Sequence, residues 1–173
     1  MEDNGWKLVS ATPVEASKIE SIRDDMFKIC PPEKYRKIDP HITLIPPFRI
    51  NDKSRYPEIN SAINQIDFNS CEFTVNGASI YPSLQNPRVI LLDITPSQKL
   101  LEIREHILDV INDYDVEFWY EPAPLHITLF KCDNGYTLAD DRKELLQNTI
   151  WDNRDSWTGT IEYIDLVCTV SDN

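Results

Sequence analysis

The sequence predicts an α+β fold of two lobes, in which two antiparallel sheets line a central groove and helices pack on their outer faces. Three observations predict it. Strand-like and helix-like patterns alternate along the 173 residues, the order β-α-β-α-β occurs twice, and no Gly/Ser-rich linker separates the two runs. The chain is therefore expected to form a single domain over residues 1–173, pseudo-symmetric because each half repeats the other.

Trp6 to Ser10 reads as a strand. Thr12-Pro13 followed by Val14, Ile19, Ile22, Met26 and Phe27 reads as a capped helix with one apolar face, closed by Cys30-Pro31-Pro32. Tyr35 to Asp39 reads as a loop, and His41 to Ile45 as a strand that Pro46-Pro47 stops. Ile59, Ala62, Ile63 and Ile66 have helical spacing. Phe73 to Ile80 and Arg88 to Ile94 form a strand pair. Pro96 to Tyr114 is an amphipathic helix through Leu100, Ile103, Ile107 and Ile111. His126 to Phe130 is a strand, Leu138 to Ile150 a helix that Thr137 opens, and Thr158 to Val170 a closing strand or strand pair.

Composition narrows the function. The net charge of −12 suits poorly a protein that wraps duplex nucleic acid, which must neutralise many phosphates. The charge is uneven, however. Lys28 to Arg55 carries seven bases against three acids, a net +4, which leaves −16 for the rest of the chain. A local positive island fits a small or terminal phosphate better than a long polyanion. The longest aliphatic run, Val89-Ile90-Leu91-Leu92, is too short to span a membrane, and the acidic first residues are unlike a signal peptide, so a cytoplasmic monomer is expected. Four scattered cysteines and three histidines without Cys-x-x-Cys spacing imply no structural zinc, and no cofactor is expected.

One tetrapeptide occurs twice. His-Ile-Thr-Leu stands at 41–44 and again at 126–129, using two of the three histidines at the equivalent strand of each half. Side chains alternate along a strand, so His41 and Thr43 share a face, as do His126 and Thr128, while the Ile and Leu of each motif are expected to be buried under the helices of its own half. If the lobes face one another, four polar groups converge on one cleft. One imidazolium could protonate the leaving oxygen of a phosphodiester while a neutral imidazole takes a proton from attacking water. Histidine suits both tasks because its ordinary pKa is about 6.5. The threonine hydroxyls can donate to the non-bridging oxygens, where charge develops. Each motif could instead be an ordinary half-buried strand, or the histidines could share a metal, although neither strand carries an Asp, Glu or Cys on the same face.

Pro40-His41-Ile42-Thr43-Leu44-Ile45-Pro46-Pro47-Phe48 and Pro124-Leu125-His126-Ile127-Thr128-Leu129-Phe130-Lys131 resemble the paired His-x-Thr motifs of the two-histidine (2H) phosphoesterase superfamily. Within it the chain is most similar to the 2′-5′ RNA ligase-like proteins, or RNA 2′,3′-cyclic phosphodiesterases. The resemblance implies a bilobal, pseudo-symmetric fold with its active site in the groove. It implies that His41 and His126 act on a nucleotide or RNA-end phosphodiester without metal, while Thr43 and Thr128 hold its oxygens. Members place a basic residue after the second motif, where Lys131 stands. Strict alternation turns Lys131 away from His126, so that role requires a strand end or a bulge. Pro46-Pro47 departs from members whose first strand continues.

Phe48, Tyr81 and Phe130 are candidates to stack on a base or sugar, with plain packing as the alternative. Arg36, Lys37 and Arg49 could steer phosphate. Trp119-Tyr120 could wall the groove or pack internally, and His106 reads as surface. The expected reaction is hydrolysis of a 2′,3′-cyclic phosphate. The alternatives are cleavage of a 2′-5′ linkage, RNA ligation, and a non-catalytic module that binds RNA ends or nucleotides.

Overall fold

The computed structural model of the chain describes residues 6–30, 33–121, 123–132 and 137–168. Along them run β1 (Lys7–Pro13), α1 (Ala16–Phe27), β2 (Arg36–Lys37), β3 (Ile42–Ile50), a 3-10 turn at Lys53–Arg55, α2 (Tyr56–Asn64), β4 (Glu72–Ser83), β5 (Asn86–Pro96), α3 (Gln98–Asn112), β6 (Val116–Phe118), β7 (His126–Lys131), α4 (Asp140–Asp152) and β8 (Trp157–Cys168). The α+β class and the antiparallel pairing are as expected. The two expected sheets, however, are hydrogen-bonded into one of eight strands, in the order β2-β7-β5-β4-β8-β1-β3-β6, and a further β7–β3 pairing brings distant strands of that order together.

Each half of the sheet mixes both halves of the chain. β2 precedes the first motif but pairs with β7, which carries the second; β6 precedes the second motif but pairs with β3. The helices exchange likewise, α1 packing on β7 and α3 on β3. Each motif strand is therefore covered by the helix of the other repeat, and not by its own as the sequence suggested. Short strands such as β2 and β6 have too few residues to announce themselves by alternation. Ile42, Leu44, Ile127 and Leu129 are fully buried in one continuous apolar cluster with Ile19, Met26, Leu100 and Ile107.

Several boundaries differ for local reasons. Thr12 and Pro13 belong to β1, because its pairing with β8 continues that far; α1 starts after Glu15, whose carboxylate accepts from the Thr160 amide at 2.9 Å. Pro46 and Pro47 do not stop β3. The register against β1 slips twice between Thr43 and Phe48, so both prolines fall in an irregular stretch where a missing N–H breaks no ladder. Thr137 does not cap α4; Ala139 stands at its N-cap and makes no side-chain cap bond. Thr169 and Val170, expected in the closing strand, lie outside the described residues, as do Pro31 and Pro32.

Candidate active site

Ile42 pairs with Ile127 where β3 meets β7. Extending that antiparallel register by one residue in each direction sets His41 across from Thr128 and Thr43 across from His126. Facing residues on one sheet face have Cβ atoms roughly 5 Å apart and diagonal ones roughly 7–8 Å apart. The two imidazoles are thus the diagonal pair of a four-residue patch, related by a local twofold axis through the isoleucines. All four side chains are half-buried, whereas Ile42 and Ile127 between them are fully buried on the opposite face.

Both rings are held in the same way. His41 Nδ1 lies 2.8 Å from the Asp39 carbonyl and His126 Nδ1 lies 2.9 Å from the Pro124 carbonyl, each two residues back. A carbonyl oxygen can only accept, so each Nδ1 carries the proton, and Nε2 is the atom left to exchange one. An arginine holds the carbonyl one residue before each of these. Arg23 from α1 donates to the Ile38 carbonyl at 2.8 Å, and Arg104 from α3 donates to the Ala123 carbonyl at 3.1 Å, each three residues before its histidine. The sequence reading missed this pair. Its signal was the Ile-Arg dipeptide at 22–23 and again at 103–104, in the helix before each motif.

A bulge decides which neighbours join the site. Leu91 pairs with Thr128 but Ile90 pairs with Phe130, so Leu129 is an extra residue in β7. Beyond it the alternation is inverted. Lys131, across from Val89, faces the same side as His126, and Arg36 stands across from Lys131. Tyr81, also across from Val89 and 55% exposed, shares that face. Lys131, Arg36 and Tyr81 are thus brought onto the face of the histidines. Phe130 is not: the same bulge turns it into the core, fully buried, edge-on to Phe27 and Tyr35 at 5.6 and 5.5 Å. Phe48 is likewise sealed in the core beside Tyr56 and Phe118, because the irregular proline stretch turns it inward, and neither ring can stack on a ligand in the groove. Lys37 faces α1, ion-paired to Asp24 at 2.9 Å, and Arg49 pairs with Glu117 at 2.6 Å.

Asp93 was also missed. It stands across from His126 on β5 and accepts from the Ser79 hydroxyl. Nothing local marks it, since β5 reaches β7 only through the tertiary pairing. On the other side of the patch, Ser10 pairs with Thr43, and an open cleft of about 340 Å³ runs from His41 past Ser10 and Leu8 to Tyr163 and Val167. Lys131 and Arg36 thus stand on one flank, whereas the cleft on the other carries acids, Asp39 in its lining and Asp165 across from Ser10. Among the described residues no three His, Cys, Asp or Glu side chains gather as metal ligands, and no helix is long and apolar enough to cross a membrane.

A family model described as the 2′-5′ RNA ligase superfamily matches residues 11–169. No curated protein sequence matches. Among solved structures, a crystal structure titled as a phosphoesterase is 15% identical with a TM-score of 0.53, over 98% of this chain and 91% of that one. The crystal structure of TT0787 of Thermus thermophilus is 11% identical with a TM-score of 0.54, over 93% and 97%. The structure of Kluyveromyces marxianus Usb1 is 10% identical with a TM-score of 0.50, over 96% and 99%. At such identities these likenesses establish the fold.

Proposed function

The chain belongs to the 2′-5′ RNA ligase superfamily, and on that premise we propose that it is a metal-independent phosphodiesterase that opens 2′,3′-cyclic phosphates on RNA ends or small nucleotides. The observation that carries this reading is the matched pair of imidazoles on one sheet face, each with Nδ1 committed to a backbone carbonyl and Nε2 left for proton transfer. One neutral Nε2 takes a proton from water as its oxygen bonds to phosphorus. The other, protonated, gives its proton to the ribose oxygen whose bond to phosphorus breaks, leaving a monoester and a hydroxyl. Thr43 and Thr128 donate to the non-bridging oxygens, and Lys131 and Arg36 lie on the face where negative charge accumulates.

The test is turnover of a 2′,3′-cyclic nucleotide and of a 2′-5′ dinucleotide, with products resolved by chromatography. Cyclic-phosphate opening is expected, undiminished by EDTA, with a bell-shaped pH–rate profile because one ring must be neutral and the other charged. His41→Ala and His126→Ala should each lose roughly 10²–10⁴-fold in rate, and Thr43→Ala and Thr128→Ala less. Cleavage of the 2′-5′ linkage alone would reassign the substrate. Binding of RNA ends without turnover of either substrate would leave a recognition module.

A further inference from the structure

A cluster of aromatic side chains lies on the same sheet face, beyond the far end of the cleft. β1 pairs with β8 in unbroken register from Lys7 to Thr12, so Leu8, Ser10 and Thr12 share one face. Trp6, the residue before the strand, packs on Arg49, which is exposed between the core residues Phe48 and Ile50 and so points to that face too. Because Ser10 pairs with Thr43, this is the face of the histidines. The Trp6 ring lies 5.6 Å from Trp119 at an interplanar angle of 36°, and the Arg49 guanidinium covers Trp6 at 5.0 Å. Trp119 is anchored by its amide, which donates to the Pro47 carbonyl at 2.8 Å, yet it is 59% exposed, with Tyr120 beside it 52% exposed. Arg49 is braced by Glu117, so the cluster offers flat aromatic surface with little net charge. Trp6 and Ser10 are four residues apart along extended chain, about 13 Å at the usual rise. That is beyond the nucleoside carrying a phosphate held at the histidines, and within reach of the next nucleotides of an extended strand.

The charge of the chain restricts how such an occupant can be held. A protein of net −12 gains little from counterion release on RNA, so affinity for anything longer than a nucleotide must come from uncharged contacts. Base–aromatic stacking supplies about 1–3 kcal/mol per base and tolerates any sequence. Resting on the phosphodiesterase reading, we propose that Trp6 and Trp119 form a stacking subsite for a nucleotide 5′ of the reacting phosphate, making the preferred substrate the end of a single-stranded oligoribonucleotide.

The experiment compares kcat/KM for adenosine 2′,3′-cyclic phosphate and for a tetranucleotide RNA ending in the same group. In the unaltered protein the tetranucleotide should be favoured. Trp119→Ala and Trp6→Ala should each cut the tetranucleotide-to-mononucleotide ratio by about 10-fold, and Trp119→Phe should restore most of it. Circular dichroism checks that each variant is folded, and the Phe variant keeps the test open if an Ala variant is not. A second arm measures binding of fluorescently labelled tetranucleotide 3′-phosphate by anisotropy. It is independent of turnover, so an inactive protein would sink the catalytic reading while the anisotropy still decides the subsite. An unchanged ratio in the folded variants, or equal affinity with and without Trp119, overturns the proposal.

Discussion

At the scale of single residues, the site depends on where two carbonyl oxygens are held. Asp39 and Pro124 fix the ring orientation of His41 and His126, and Arg23 and Arg104 hold the backbone just before them. Arg23 is 8% exposed and also neighbours Glu20, Asp24 and Asp39, so it is a buried, paired cation. Arg23→Met should leave the Ile38 carbonyl without its donor and lower kcat by as much as about 10²-fold through displacement of His41. Arg23→Lys should recover part of that loss, with KM little changed; a KM effect alone would argue against a positioning role. The thiols give a second expectation. All four cysteines are free, with Cys30, Cys71 and Cys132 buried and Cys168 exposed. Burial pushes the Cys30 thiol up to about 12 and raises Cys71 as well, so both stay protonated near neutrality. Ellman's reagent should therefore react quickly with one thiol in the native protein and with four after denaturation.

At the scale of elements, the contact between β3 and β7 builds the site. Ile42 and Ile127 have no exposed surface and pair directly, so they set the spacing of the polar patch behind which they lie. Ile127→Ala should destabilise the fold by about 2–5 kcal/mol through lost burial and a cavity, whereas Ile127→Val should cost about 0.5–1.5 kcal/mol and keep the patch together. Urea denaturation measures the first difference and kcat/KM the second. The bulge at Leu129 is the other element-scale device. One added residue in β7 sends Phe130 into the core and Lys131 to the histidines, which perfect alternation would have reversed.

At the scale of the whole molecule, acid stability follows from the surface charges. Asp24 is held below the usual carboxylate range chiefly by its hydrogen bond from Lys37, and Asp140 by that from Lys143; Asp52 and Asp67 are lowered by Ser54 and by the Asn69 amide. A depressed folded-state pKa contributes stability above the unfolded value, about 3.9, and that contribution is lost as pH falls through the folded value. The urea midpoint should therefore be level above about pH 5 and decline below about pH 4, while relief of the −12 self-repulsion softens the decline. The double variant Asp24→Asn, Asp140→Asn should flatten that acid limb; an unchanged slope would place the effect elsewhere.

What could be read along the chain was whatever depends on periodicity and on rare residues. Alternating strand and helix periods carried the α+β class, and two copies of His-Ile-Thr-Leu carried the paired motifs and the faces of His41, Thr43, His126 and Thr128, because strand alternation is a local rule. Lys131 was legible only as a conditional, since a bulge is defined against a partner strand. Phe48 and Phe130 were misplaced for the same reason: irregularities in pairing invert a face without changing composition. Which helix covers which motif, the joining of two sheets into one, and the arrival of Asp93 beside His126 were decided by long-range pairing alone. Hydrogen bonds between strands distant in sequence carry no local periodicity, so only the folded chain could place them.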